Sequence, residues 1–138
     1  MEEHLEMFPS GLLRSQLGRL TEFAEEAAGQ SVDELRAEVD QHLERTRAAH
    51  ERSRIVNLRL ATAIKEAIEQ VLNQWESLSA NDRNWLAGAF FYFAKCNDDE
   101  PDFDSPIGFE DDAEVLNACL RFAGLNDLCL TVEDYDDA

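Results

Sequence analysis

The residues best suited to chemistry in this chain are carboxylates. Asp98, Asp102, Asp104, Asp111 and Asp112 fall within one fifteen-residue stretch, and oxygen donors at that density suit a hard cation such as Ca²⁺ or Mg²⁺. Their spacing does not make an EF-hand. Counting from Asp98 as the first ligand puts Phe103 where the sharp turn needs glycine, and Phe109 where a bidentate glutamate closes the loop. Asp98, Asp102 and Asp112 stay as the metal candidates. The simpler reading is that Asp102 and Asp112 accept backbone N–H groups at a turn and at a helix start. No metal or other cofactor is expected.

Paired acids also serve as general acid and base, but that chemistry needs companions. His4, His42 and His50 lie far from the acids in sequence, and no nucleophile elbow, zinc-protease helix, P-loop or dinucleotide fingerprint is present. His42 and His50 are eight residues apart, about 12 Å along a helix and too far to share a metal ion. They read as interface or solvated residues. A nucleophilic cysteine needs an electropositive surround. Cys96 borders the acids and Cys119 lies among apolar residues, so both read as core thiols. No catalytic residue is expected, and the chain reads as non-enzymatic.

Charge sharpens this picture. The 138 residues carry 12 Lys and Arg against 30 Asp and Glu, a net charge of -18. Residues 96–138 hold fourteen of the acids and one base, Arg121, a local net charge of -13, while the first 95 residues stand at -5. Such a surface repels phosphate, which disfavours direct nucleic-acid binding and adsorption to an anionic membrane. No apolar run approaches the roughly 18 residues of a membrane span. Three cysteines without a CxxC pair read as free thiols in a reducing compartment. The acidic start MEEHLEMFPSGLL is unlike the basic opening of a signal peptide. A cytoplasmic location is the expectation.

The elements that must carry these residues are helical. Residues 30–87 contain neither glycine nor proline, which favours helix throughout. A first helix is expected over 10–28, ended by Gly29. Ser31 and Glu34 form a capping-box pair, and Val32, Leu35, Val39 and Leu43 open an apolar stripe. That stripe stays in helical phase through Ala49, Val56, Leu60, Ile64, Ala67, Val71, Trp75 and Leu78. Its middle is polar, with His42, Thr46, His50, Ser53 and Asn57 on the same face. One helix of about 70 Å over 32–78, or two helices broken near Ser53, satisfies the pattern. The long or slightly broken helix is the expectation. Ser79 and Asp82 start a further helix ending by Cys96, and the last helix is expected over 109–123, closed by Gly124. The segment LCLTV after it suits a short extended stretch.

Residues 85–120 resemble the YkvA-like family, a bacterial domain of unknown function. The resemblance rests on Tyr92, then Asp98, Pro101 and Asp102, then Gly108, Phe109, Asp111 and Asp112, which follow the family's order of a Tyr-containing helix end, an Asp-x-x-Pro-Asp loop and a Gly-aromatic-x-Asp-Asp helix start. It implies two helices clasping a Pro-Asp loop, with Tyr92, Pro101, Asp102, Gly108, Phe109, Asp111 and Asp112 as the structural motif. In this chain Asp99, Glu100, Asp104 and Ser105 stand where the family loop is apolar.

The expected fold is therefore all-α. It is a single domain over 1–138 of four or five helices, with one long central helix, an acidic Pro-Asp loop between the last two, and a frayed acidic tail over 131–138. The expected function is a non-catalytic interaction protein whose acidic C-terminal surface binds a basic protein, as an antitoxin, an immunity protein or a nucleic-acid mimic does. Asp98, Asp99, Glu100, Asp104, Glu133, Asp134, Asp136 and Asp137 are the partner-binding candidates, because local structure does not require them. A basic stretch of Arg45, Arg47, Arg52, Arg54 and Arg59 flanks the apolar stripe. Arg45, Arg52, Val56, Arg59 and Leu60 are the candidates for a homodimer interface along it. The alternatives are a divalent-metal enzyme or sensor on the acidic loop, and peripheral membrane attachment through the aromatics of residues 85–93.

Overall fold

The computed structural model describes residues 8–52, 58–95 and 110–131. Its helices are α1 Arg14–Ala27, α2 Val32–Arg52, α3 Leu58–Asn73, α4 Ala80–Lys95 and α5 Glu110–Phe122, with single 3₁₀ turns at Trp75–Ser77 and Asn126–Leu128. No strand occurs among the described residues.

The helix signals in the sequence act where they stand. Ser31 Oγ accepts the Glu34 N–H at 3.1 Å while Glu34 Oε1 accepts the Ser31 N–H at 2.8 Å, the reciprocal box that opens α2. Ser79 Oγ accepts the Asp82 N–H at 3.1 Å at the start of α4. Gly124 lies at φ +78°, and the Leu125 N–H reaches back to Leu120 O at 2.8 Å, which closes the C-terminal end of α5.

The expected long helix is instead a hairpin of two. Arg36 Nε on α2 donates to both carboxylate oxygens of Glu69 on α3, each at 3.1 Å. Lys65 Nζ lies 3.1 Å from Asp40 and 3.2 Å from Glu69. Residue 36 meets 69 and residue 40 meets 65, an order that only antiparallel helices give. Burial alone would raise the Glu69 carboxyl, but Arg36 and Lys65 outweigh it and hold the group below the usual carboxylate range. The stripe read as continuous is two facing stripes. Leu35, Val39 and Leu43 on α2 share one core with Leu60, Ile64, Ala67 and Val71 on α3. A single helix would leave half of that apolar surface in water, and folding back buries it. Residues 53–57, where a break was placed, lie outside the described residues.

The central helix is α4, not the 32–78 segment. All of residues 86–94 are buried, as expected for a helix that is apolar around its whole circumference. α1, α2 and α5 each pack on it. His42 on α2 meets the Phe93 ring edge to face at 4.8 Å, and the Trp75 ring after α3 lies 5.8 Å from Phe90. α1 packs tightly on α4 at Gly88. A Cβ there would stand 2.9 Å from Ala24 Cβ and 3.0 Å from the Ala24 Cα and N.

Gly88→Ala sets two effects against each other. Alanine gains about 1 kcal/mol of helix propensity, whereas forcing apart a packed crossing costs about 1–3 kcal/mol. A net loss of stability by urea denaturation is expected. Adding Ala24→Gly should restore only part of it, because the Ala24 backbone itself blocks the position. A stabilised Gly88→Ala variant would show that the crossing relaxes freely.

Candidate functional site

The described part of the acidic third begins at the first turn of α5, where three helices converge on one carboxylate. Tyr92 Oη on α4 donates to Asp111 Oδ2 at 2.5 Å. Gln16 Nε2 on α1 donates to the other Asp111 oxygen and, at 3.2 Å, to Glu114 Oε1. The amide of Gln16 is oriented from its far side, since its Oε1 accepts the Leu13 N–H at 2.8 Å. Leu13 has no polar side chain with which to cap α1, so Gln16 reaches back and serves that backbone donor. Tyr92 is buried and meets Phe23 edge to face at 6.1 Å, which fixes the direction of its hydroxyl.

Asp111 is exposed although two side chains hold it, whereas Asp112 beside it is buried. Both lie in the first turn of α5, where a carboxylate offsets the positive end of the helix dipole. Tyr92 and Gln16 are neutral donors, so they fix Asp111 and Glu114 in place and leave their charge intact. Of the seven motif residues implied by the resemblance, Tyr92, Asp111 and Asp112 are described, and Tyr92 and Asp111 are bonded to each other. Pro101, Asp102, Gly108 and Phe109 lie outside the described residues.

The partner-binding candidates Asp98, Asp99, Glu100, Asp104, Glu133, Asp134, Asp136 and Asp137 also lie outside them. So do the metal candidates Asp98 and Asp102. Among the described residues no group of His, Cys, Asp and Glu gathers as a metal site. Of the interface candidates, Arg45, Arg52 and Arg59 are exposed on α2 and α3, while Val56 falls in the segment 53–57. Leu60 is fully buried in the chain's own core. It is therefore withdrawn as an interface residue, because it belongs to the buried core that it shares with Leu35, Val39 and Ile64.

Two further readings are corrected. Phe90, Phe91, Tyr92 and Phe93 are all buried, so they offer a membrane no surface, and no helix among the described residues is long and apolar enough to cross one. His42 is not solvated but buried against Phe93. Cys119 meets expectation as a core thiol, its Sγ 3.5 Å from Trp85 O and its pKa driven far up by burial. A shallow cavity of about 280 Å³ opens between the end of α1, Trp75 and the start of α4. Arg83 is its one charged lining residue, and it already donates to Trp75 O at 2.9 Å.

Gln16 escaped the sequence reading because the first helix was placed to begin near residue 10. With the true start at Arg14, Gln16 falls in the first turn, where a side-chain carbonyl serves a free backbone N–H. The chain matches no protein-family model, no curated protein and no solved structure.

Two outcomes test this geometry. Tyr92→Phe and Gln16→Leu each remove a donor to Asp111 without changing net charge, and each should cost about 1 kcal/mol in chemical denaturation. A double variant losing no more than either single one would show the two bonds to be coupled through Asp111. The second outcome concerns pH. Burial, helped by the positive charge of Arg45, lowers the His42 pKa from 6.5 to about 4. Folded His42 stays neutral where the unfolded chain takes up a proton, so its contribution is whole above pH 6.5 and declines as pH falls towards 4. The slope reaches at most about 1.4 kcal/mol per pH unit. His42→Leu should flatten the stability curve in that window, and an unchanged slope would assign the titration to another group.

Proposed function

We propose that this chain is a non-catalytic acidic interaction protein whose C-terminal third binds a basic protein. The observation that carries the reading is electrical polarity: fourteen acids against one base in residues 96–138, beside a nearly balanced remainder. The ion pairs of the described helices support it. Arg36, Arg47, Lys65 and Lys95 pair with Asp33, Glu69, Glu44, Asp40, Glu26 and Glu38, acids that all belong to the first 95 residues. In the acidic third, Asp111 and Glu114 are held by the neutral Gln16 and Tyr92, so the fold keeps that charge rather than cancelling it.

A dense carboxylate surface can stand in for phosphate or cover a basic active site, which fits an inhibitor, antitoxin or immunity protein as the class. Long-range attraction of this kind speeds encounter and weakens with salt. The likeness of residues 85–120 to the YkvA-like family belongs to this proposal and assigns no chemistry to it.

The experiment is retention of basic proteins on the immobilised chain at low and high ionic strength. It is run beside a variant in which Asp98, Asp99, Glu100, Asp104, Glu133, Asp134, Asp136 and Asp137 become the matching amides. A defined basic partner should be retained at low salt, released at high salt and lost from the amide variant. If none is retained at low salt, or if the amide variant retains it equally, the proposal fails.

A further inference from the structure

Among the described residues four lysines and arginines are half-buried: Arg36, Lys65, Arg83 and Lys95. Three of them hold carboxylates, Arg36 and Lys65 on Glu69 and Lys95 on Glu26. Arg83 is the exception. In a chain with 30 Asp and Glu, it makes no ion pair among the described residues. Main chain holds it instead, with Nε donating to Trp75 O at 2.9 Å and Nη2 to Glu76 O at 3.0 Å. Those two bonds spend the Nε edge of the guanidinium and fix its plane. They leave the end-on edge formed by Nη1 and Nη2, which can take a carboxylate by two parallel charge-assisted bonds.

Arg83 lines the cavity of about 280 Å³ between the end of α1, Trp75 and the start of α4. Trp75, Ala27, Ala80 and Ala87 give the same cavity apolar walls, and Asn84 adds an amide. The Trp75 ring is braced by Phe90 at 5.8 Å. The end of α1 and the start of α4 bring helix-dipole ends of opposite sign to the cavity, so its positive charge is that of Arg83. We propose that this cavity is a binding site for a small aromatic carboxylate, its ring laid against Trp75 and its carboxylate taken end-on by Arg83. The volume lies just under the usual ligand-pocket range of about 300–1,000 Å³, which suits a single ring. Ring burial and the charge-assisted pair then act together, because the arginine is already oriented before the ligand arrives. The site uses no residue of the acidic third and goes beyond the partner-binding reading, so either can fail without the other.

Benzoate is the probe and benzamide its neutral isostere, titrated into the full chain and followed by NMR at the Trp75 indole N–H and the Ala27 and Ala87 signals. Because the net charge of -18 repels anions at long range, the titration is run at about 0.15 M salt, which screens that repulsion. Benzoate should bind with a Kd of about 1 mM, and benzamide about tenfold more weakly. Arg83→Gln should weaken benzoate about tenfold and leave benzamide nearly unchanged. Ala80 is exposed, so Ala80→Leu narrows the cavity without disturbing the core and should weaken both ligands; it stands in if Arg83→Gln does not fold. Equal affinity for benzoate and benzamide in the unaltered chain would overturn the anion site. So would the absence of any Trp75 shift up to about 10 mM benzoate, or shifts that gather at the exposed Arg45 and Arg52 instead of the cavity. Benzoate binding that survives Ala80→Leu at full strength would place the ligand elsewhere and sink the proposal as well.

Discussion

Where α1 crosses α4, a Cβ on Gly88 would come within 2.9 Å of Ala24 Cβ and 3.0 Å of the Ala24 backbone, and much of the molecule depends on that approach. It lets α1 lie against a helix whose residues 86–94 are all buried. A helix apolar on every side has to be enclosed by other elements, and four large residues in a row, Phe90 to Phe93, demand more cover than one neighbour supplies. α1, α2 and α5 provide it. The α2–α3 hairpin follows from the same demand, since its apolar stripes are covered only when the two helices fold onto each other, with α2 lying on α4 and α3 reaching α5. Interior packing at this density transmits a local displacement to every neighbour. The crossing at Gly88 thus also sets how near Gln16, on α1, comes to Tyr92 and Asp111.

Much of this was legible from local signals. The Ser31–Glu34 box, the Ser79 start and the stops at Gly29 and Gly124 depend on a few neighbouring residues, and the structure has each of them. The long helix was misread because a stripe in phase over 32–78 looks the same on one helix as on two stacked helices. Phase says nothing about whether the chain reverses. The only warning was the polar middle of the stripe, and even that misled in part. His42 and Thr46 are buried, with Thr46 Oγ1 donating to His42 O at 2.9 Å and the His42 ring on Phe93.

The candidate site was less legible, for a different reason. Asp111 was singled out as an acid, but its partners Gln16 and Tyr92 lie 95 and 19 residues away. No local spacing points to a glutamine that distant. Asn117 shows the same limit. It is an unremarked helical residue until the chain turns at Gly124 and brings Leu130 back alongside it. Side chains that bridge elements are set by topology, and topology is what periodicity leaves open.

The choice of donors in the acidic third ties the fold to the charge with which the sequence began. In α2, α3 and α4, carboxylates are held by Arg36, Arg47, Lys65 and Lys95, and each such pair cancels a charge. At α5 the same structural task falls to Gln16 and Tyr92, which donate hydrogen bonds and carry no charge. A hydrogen bond to an exposed carboxylate constrains its position at little cost in solvation. A cation in the same place would add attraction and remove the field. Neutral donors therefore fix Asp111 and Glu114 at the start of α5 without adding a counter-charge, although like charges crowded together work against folding. The self-repulsion is tolerated because the fold is secured elsewhere, around α4, where the residues are apolar and indifferent to it.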